Sequence, residues 1–166
     1  HLGVARSFWD VQRMLAMSKG FETQKRKIAA SVRDMLLWTL SVSTPSGHSP
    51  AVGDSEYDVL QDRFLRLGLA LRNGQLVWGS RASRARVRSA AREEGISKPV
   101  DPVEPRDLRT HLPKSGFTVL RGGWGRRDLY FLVNHGIYAG GHSHFEAIAF
   151  QMWNNGEPLA VDCGRG

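Results

Sequence analysis

The sequence predicts an α+β fold in which helices come first and the strands of an antiparallel sheet follow. Apolar residues recur every three or four positions up to about residue 94, and at every second position from Phe117 onward. A proline-rich stretch separates the two patterns. We therefore divide the chain into a helical part, residues 1–94, a linker, residues 95–116, and a sheet-forming part, residues 117–166.

The helical part begins with amphipathic segments. Residues 1–27 and 27–40 each carry an apolar stripe at helical spacing, and residues 56–70 carry another. Asp54 or Ser55 suits the N-cap of this last helix. The methionine and aromatic side chains of the first two segments are expected to belong to the core, because neither segment contains a catalytic cluster.

A basic segment follows the break at Asn73-Gly74. Its arginines recur at steps of three and four residues, at Arg81, Arg84, Arg88 and Arg92. This spacing predicts one basic helical face, which is either a polyanion contact or a solvated surface. The second interpretation is favoured, because no aromatic residues interleave with the arginines for base stacking.

The sheet-forming part contains alternating apolar runs that predict strands at residues 117–121, 129–133, 145–152 and 158–161. Asn155-Gly156 predicts a hairpin between the last two strands. That hairpin would return Asp162 to the neighbourhood of His144. A sheet of this kind also needs a further layer against which to bury one face.

Charge and composition bound the function. The 166 residues carry a net charge of +7, with a pI near 10.2. This favours anionic partners such as acidic polysaccharide, nucleic acid or a membrane surface, although an arginine-rich soluble protein is the simpler alternative. The single cysteine excludes an intrachain disulfide. No run is long and apolar enough for a membrane span, and the first residues do not form a signal peptide.

Two histidines stand out in the run Gly140–Phe150. His142 and His144 are two residues apart, so in a strand both imidazoles would project from one face. If the hairpin returns Asp162 beside them, two histidines and a carboxylate converge, which suits zinc. Ordinary strand histidines with satisfied hydrogen bonds are the alternative.

Four separate runs resemble the heparinase II/III family of polysaccharide lyases, namely residues 115–124, 128–131, 141–146 and 159–164. The resemblance implies the last helices of an (α/α) toroid followed by the start of a C-terminal antiparallel β-sandwich. It implies part of a lyase that cleaves uronate-containing acidic polysaccharide, such as a glycosaminoglycan or alginate, by β-elimination. It also implies that the partners are the polysaccharide and the rest of the parent lyase, with no nucleic acid. A bacterial parent that is periplasmic or secreted is expected.

The same resemblance implies roles for individual residues. His142 matches a catalytic histidine that faces the groove, and His144 and Asp162 match two ligands of a structural zinc. Arg121 matches a recurrent arginine that would meet a sugar carboxylate, although a strand arginine paired with Asp128 is equally compatible.

His48 lies in the Ser- and Pro-rich loop of residues 43–55. The segment Pro50–Ser55 resembles a loop late in the toroid, which makes His48 a candidate substrate contact. A solvated surface histidine is the alternative.

The chain departs from the family pattern at two points. Glu146 stands where aspartate is usual, and the proton-transferring tyrosine would precede His1. Tyr57, Tyr130 and Tyr138 lie in other sequence contexts. We therefore expect this chain by itself to be inactive or nearly so. A non-catalytic module that binds polyanions or carbohydrate is the alternative function.

Overall fold

The computed structural model describes residues 10, 20–52, 58–136 and 148–162. Within them four helices are followed by five strands of one antiparallel sheet, which confirms the predicted α+β fold. The chain divides into two compact units: unit 1 is His1–Leu40 with Arg63–Val103, and unit 2 is Ser41–Asp62 with Glu104–Gly166. No described helix has the length and apolar character that a membrane crossing requires.

The helices are α1 Glu22–Val42, α2 Gln61–Ala70, α3 Gly74–Gly79 and α4 Arg84–Glu93. Side-chain caps fix the starts of the last two. The Asn73 side chain accepts a hydrogen bond from the Leu76 N–H of α3 at 3.0 Å. Ser83 Oγ accepts one from the Arg86 N–H of α4 at 3.2 Å. Each cap satisfies a helix-terminal N–H that has no partner within its own helix.

Unit 1 buries a small core between α2, α3 and α4, made of Leu65, Leu69, Val77, Val87, Ala90 and Ala91. Gly68 of α2 lets α3 approach closely, because a Cβ at this position would lie 2.8 Å from the Val77 backbone nitrogen. This core fixes one side of α4 and leaves its other side to solvent.

The helix boundaries differ from the sequence prediction in two places. Helix α1 runs without interruption through Lys27, where two segments were expected to meet, and most of residues 1–19 lie outside the described part of the chain. Helix α2 begins at Gln61 rather than near residue 56. The residues just before it form backbone hydrogen bonds with the preceding loop: Ser49 N–H donates to Asp58 O at 3.0 Å and Leu60 N–H to Gly47 O at 3.2 Å.

The sheet of unit 2 has the strand order β1-β2-β3-β4-β5, and every neighbouring pair is antiparallel. The strands are β1 Arg109–Leu112, β2 Phe117–Arg121, β3 Tyr130–Asn134, β4 Ala149–Asn154 and β5 Glu157–Ala160. The predicted hairpin at Asn155-Gly156 joins β4 to β5. Strand β1 lies inside residues 95–116, which the sequence assigned to a linker. Its four residues have too little apolar alternation to reveal a strand without their partner β2.

The two faces of the sheet have different surroundings. One face, which we call the covered face, presents two rows of neighbours across β2, β3 and β4: Val119, Leu132 and Gln151, and then Arg121, Tyr130 and Trp153. The opposite face presents apolar side chains such as Leu120 and Phe150, which are 41% and 52% exposed. An open apolar face is what the predicted sandwich requires for its second layer, and the sandwich itself stays a prediction.

Candidate functional site

Residues 41–52, which we call the anchored segment, are held by side chains of the covered face. The buried Tyr130 hydroxyl donates to Val42 O at 2.7 Å. The buried Gln151 side-chain amide donates to Ala51 O. The two ends of the segment are therefore fixed by two adjacent strands, β3 and β4.

Arg121 makes the central attachment of the anchored segment. Its Nη2 donates to Ser41 O at 3.0 Å and to Ser43 O at 2.7 Å. Its guanidinium also lies over the Trp124 ring, 4.0 Å from the centroid, and 4.8 Å from the Tyr130 centroid. A planar guanidinium suits this position, because it bonds in its plane and stacks on aromatic faces.

The pairing of Arg121 with Asp128, which the sequence left open, is not formed in the described part of the chain. Asp128 Oδ2 instead accepts the Gly125 N–H at 2.7 Å within the β2–β3 loop. Arg121 is half-buried and directed at backbone carbonyls. Its role as a contact for a sugar carboxylate stays a prediction.

His48 lies in the middle of the anchored segment and is half-buried rather than simply solvated. Its Nδ1 is 3.0 Å from Ser46 Oγ, a hydrogen bond whose direction depends on the tautomer. Its backbone N–H donates to Thr44 Oγ1 at 3.2 Å, and its carbonyl accepts the Thr44 N–H at 2.9 Å. Ring and backbone are both held by neighbouring hydroxyl residues, so the loop presents His48 in a defined orientation.

The turn beneath His48 depends on Gly47. Its φ of +83° lies in the left-handed region, and its N–H donates to Thr44 O at 2.9 Å. A Cβ there would also lie 2.8 Å from Gln61 Nε2, which donates to Ser46 O at 3.2 Å. The start of α2 therefore buttresses the loop that carries His48.

Tyr130 cannot transfer a substrate proton from its present position. Its side chain is 0% exposed, and its hydroxyl donates to Val42 O. The sequence did not nominate Tyr130, and burial excludes it on physical grounds. Tyr57 and Tyr138 lie outside the described residues.

The proposed metal ligands are only partly within the described chain. Asp162 is described and half-buried, with its Oδ2 atom inaccessible to solvent. His142 and His144 lie outside the described residues, as does Phe145, where the sequence predicted a strand to begin. Across the ranges that the structure describes, no cluster of three His, Cys, Asp or Glu side chains is arranged to hold a metal ion.

Sequence reasoning missed one polar cluster at the edge of the sheet. The Thr118 hydroxyl lies 2.9 Å from His111 Nδ1 and 3.0 Å from His135 Nε2. The two imidazoles are stacked, with centroids 5.7 Å apart. No local motif signals this arrangement, because it arises only when β1, β2 and the end of β3 are brought into register. Gln151 was missed for the same reason: its amide is used only when the anchored segment lies against it.

Comparisons with known proteins bear on this fold. Residues 104–166 match the family model described as Heparinase II/III-like, C-terminal. Heparan sulfate lyase HepC from Pedobacter heparinus has a similar structure, with a TM-score of 0.70 and 18% identity over 99% of this chain and 24% of that chain. A heparinase III structure (BT4657 gene product) has a TM-score of 0.66 and 20% sequence identity, covering 83% of this chain and 20% of that chain. No curated protein sequence gives a significant match.

These comparisons show a similar fold for the chain and a family resemblance for its residues 104–166. Their sequence identities are too low to carry activity across, and the chain spans only between 20% and 24% of the length of the two solved lyases. The family match covers all five described strands and the few residues just before β1, from residue 104 onward. Residues 104–166 therefore resemble the C-terminal region of heparinase II/III-like proteins, and the fold of the chain is similar to part of the two solved lyases.

Proposed function

We propose that this chain is part of a polysaccharide lyase that cleaves uronate-containing acidic polysaccharide by β-elimination. The observation that carries the proposal is the anchored segment: a sheet that matches the heparinase II/III C-terminal region holds a histidine-bearing loop by three of its side chains. Side chains that fix a loop this firmly pre-organise whatever group the loop presents. Here that group is His48.

The chemistry explains why a held histidine is useful. In β-elimination a base removes the proton α to the uronate carboxylate while the bond to the next sugar breaks. Negative charge grows on the carboxylate side, so oriented donors there lower the barrier. We assign the role of donor to the substrate carboxylate to His142, and we assign His48 as a substrate contact. Arg121 positions the loop that carries His48, because its guanidinium binds the carbonyls of Ser41 and Ser43.

The chain by itself is proposed to turn over little or no substrate. The one tyrosine that the structure describes, Tyr130, is buried and engaged with Val42 O, so it does not supply the base. The chain would then contain the donor assigned to the substrate carboxylate but no base to accept the proton. Removing a general base typically lowers the rate by about 100- to 10,000-fold.

The test is the rise in ultraviolet absorbance from unsaturated uronate products on heparin, heparan sulfate and alginate. We expect no measurable rise with the 166-residue chain. In a lyase that contains this chain, His142→Ala is expected to lower kcat by about 100-fold or more, and His48→Ala by less. Full turnover by the 166-residue chain, or a His142→Ala lyase with unchanged kcat, would show the assignment to be wrong. Heparin binding without product would favour the non-catalytic alternative.

We further propose a structural zinc held by His144 and Asp162. The half-buried Asp162 carboxylate and an imidazole have the right donor chemistry, and a bound ion would stabilise the chain around β5 rather than take part in proton transfer. In a lyase that contains this chain, zinc content measured by mass spectrometry should fall from near one ion per molecule to below about half an ion in His144→Ala. His111→Ala, which removes a histidine of the edge cluster, is the matched control and should keep its zinc. Equal zinc content in both variants would refute the site.

A further inference from the structure

Of the four arginines predicted to share one basic helical face, Arg84, Arg88 and Arg92 lie on α4, whereas Arg81 lies before its start. Arg84, Arg88 and Arg92 are all exposed and follow one another at four-residue steps. Such steps place successive side chains roughly 6 Å apart along the axis and roughly 40° apart around it. The three guanidinium groups therefore form one continuous ridge, roughly 12 Å long between the first and last Cα atoms. We call these three residues the arginine ridge.

The two acidic residues at the end of α4, Glu93 and the C-cap Glu94, do not neutralise the ridge, because other arginines bind them. Arg86 donates to Glu93 Oε1 at 2.9 Å. Arg66 of α2 donates to Glu94 Oε1 at 2.8 Å and to Glu93 Oε2 at 3.3 Å. The hydrogen bond from Arg86 lowers the pKa of Glu93 below its ordinary value, so this carboxylate stays charged and paired at neutral pH. Within the described residues, none of the ridge arginines forms an ion pair.

The position of Arg84 is unfavourable for the helix itself. It occupies the first turn of α4, which contains no acidic residue, so its charge lies at the positive end of the helix dipole. The opposite side of α4 is fixed by Val87, Ala90 and Ala91 in the core of unit 1. An arginine at the positive end of a helix dipole, on a rigid and solvent-exposed surface, is typical of a surface that is used for binding.

The aromatic residue nearest the ridge in sequence is covered by an arginine. Arg81 adopts a left-handed φ of +56°, and its guanidinium lies over the Trp78 ring, 5.7 Å from the centroid. A base-stacking site needs an accessible aromatic face, and here a cation lies over that face. This geometry favours a ligand that is read through its charges over one that is read through stacked bases.

We propose that the arginine ridge is an accessory binding surface for a linear acidic polysaccharide, with its sulfate and carboxylate groups paired along α4. The inference rests on the proposed function, because it takes the polyanion to be of the same class as the lyase substrate. It adds a contact surface in unit 1, on residues other than those assigned to catalysis. The function of the arginine ridge is to retain a long polysaccharide. The turnover of an oligosaccharide too short to bind the ridge therefore does not depend on it.

The test compares two triple variants of the 166-residue chain that lose the same charge. R84Q/R88Q/R92Q removes the ridge, and R106Q/R109Q/R126Q removes three exposed arginines of unit 2. Heparin affinity is measured by calorimetry at several salt concentrations. The ridge variant is expected to bind about 10- to 100-fold more weakly at low salt, with a shallower salt dependence, and the control less than about 3-fold more weakly.

Equal losses in the two variants would mean that net charge alone drives binding and would overturn the proposal. Tighter binding to duplex DNA than to heparin at matched salt, lost in the ridge variant, would also overturn it and would assign the ridge to nucleic acid. The proposed function is judged separately, by turnover of a short oligosaccharide in a lyase that contains this chain. Ridge substitutions should leave that turnover unchanged. A result that overturns the ridge proposal therefore does not contradict the catalytic assignment.

Discussion

Replacing Arg121 with methionine is expected to lower the free energy of unfolding of unit 2 by about 3 kcal/mol. Methionine keeps the length of the side chain but has no donor, so Ser41 O and Ser43 O lose their charged partner. Hydrogen bonds to charged donors contribute about 1.5–3 kcal/mol each, and stacking on Trp124 and Tyr130 adds about 0.5–2 kcal/mol. Relief of the desolvation cost of a half-buried cation offsets part of this loss.

Urea unfolding gives the global change, and hydrogen exchange gives the local one. The amides of Thr44, Gly47 and Ser49, which are hydrogen-bonded within unit 2, should exchange faster in Arg121→Met. Arg126→Met is the matched control, because Arg126 is exposed in the β2–β3 loop, and its loss should cost less than about 0.5 kcal/mol. Arg121→Lys should recover less than half of the stability, because an ammonium does not stack and bond in one plane. An Arg121→Met protein as stable as the control would mean that Arg121 does not hold the segment.

If Arg121 is a positioning residue, Arg121→Met should also change the kinetics of a lyase that contains this chain. If Arg121 acts through the loop of His48, its loss should raise KM and lower kcat together, and His48→Ala should add little to Arg121→Met. A residue that bound the sugar carboxylate directly would give additive losses in the double variant. The double-mutant cycle therefore separates the predicted substrate contact from the positioning role that the observed hydrogen bonds support.

The sequence predicted the order of helices and strands because each pattern is local. The apolar runs at 117–121 and 129–133 became β2 and β3 with bounds within a residue, and Asn155-Gly156 became the turn between β4 and β5. Strand β1 was missed because four residues with mixed polarity are stable in a sheet only beside β2. Helix α3, six residues long, was missed because so short an apolar run has no measurable periodicity.

The candidate site was less predictable than the fold, because its contacts join residues far apart in sequence. Arg121 and His48 were nominated separately, and nothing in the sequence indicated that one supports the loop of the other. Tyr130 hydrogen-bonds to Val42 across 88 positions. Such pairs depend on which side chains of a strand face the covered side, and a shift of one residue in register would reverse that choice.

Substituting Gly116 with alanine is expected to have the largest effect of any glycine at the edge of the sheet, about 3–5 kcal/mol in the free energy of unfolding. Gly116 has a φ of +73°, and its carbonyl accepts the His135 N–H at 2.7 Å. A Cβ at this position would lie 2.5 Å from the Gly136 nitrogen and in contact with the Gly136 Cα. Both are backbone atoms held by the end of β3, so neither can move aside without separating β2 from β3.

Gly95→Ala isolates the backbone part of this cost. Gly95 has a φ of +67°, similar to that of Gly116, but a Cβ there meets no atom within 4 Å. It should therefore cost only the left-handed penalty, about 1 kcal/mol. The difference between the two variants in urea unfolding measures the close approach of the two backbone segments at Gly116 and Gly136. His142 and His144 lie eight and ten residues after the end of β3 in sequence, so only Gly116→Ala should also lower turnover in a lyase that contains this chain. Equal costs for the two glycines would show that this close approach does not fix the end of β3.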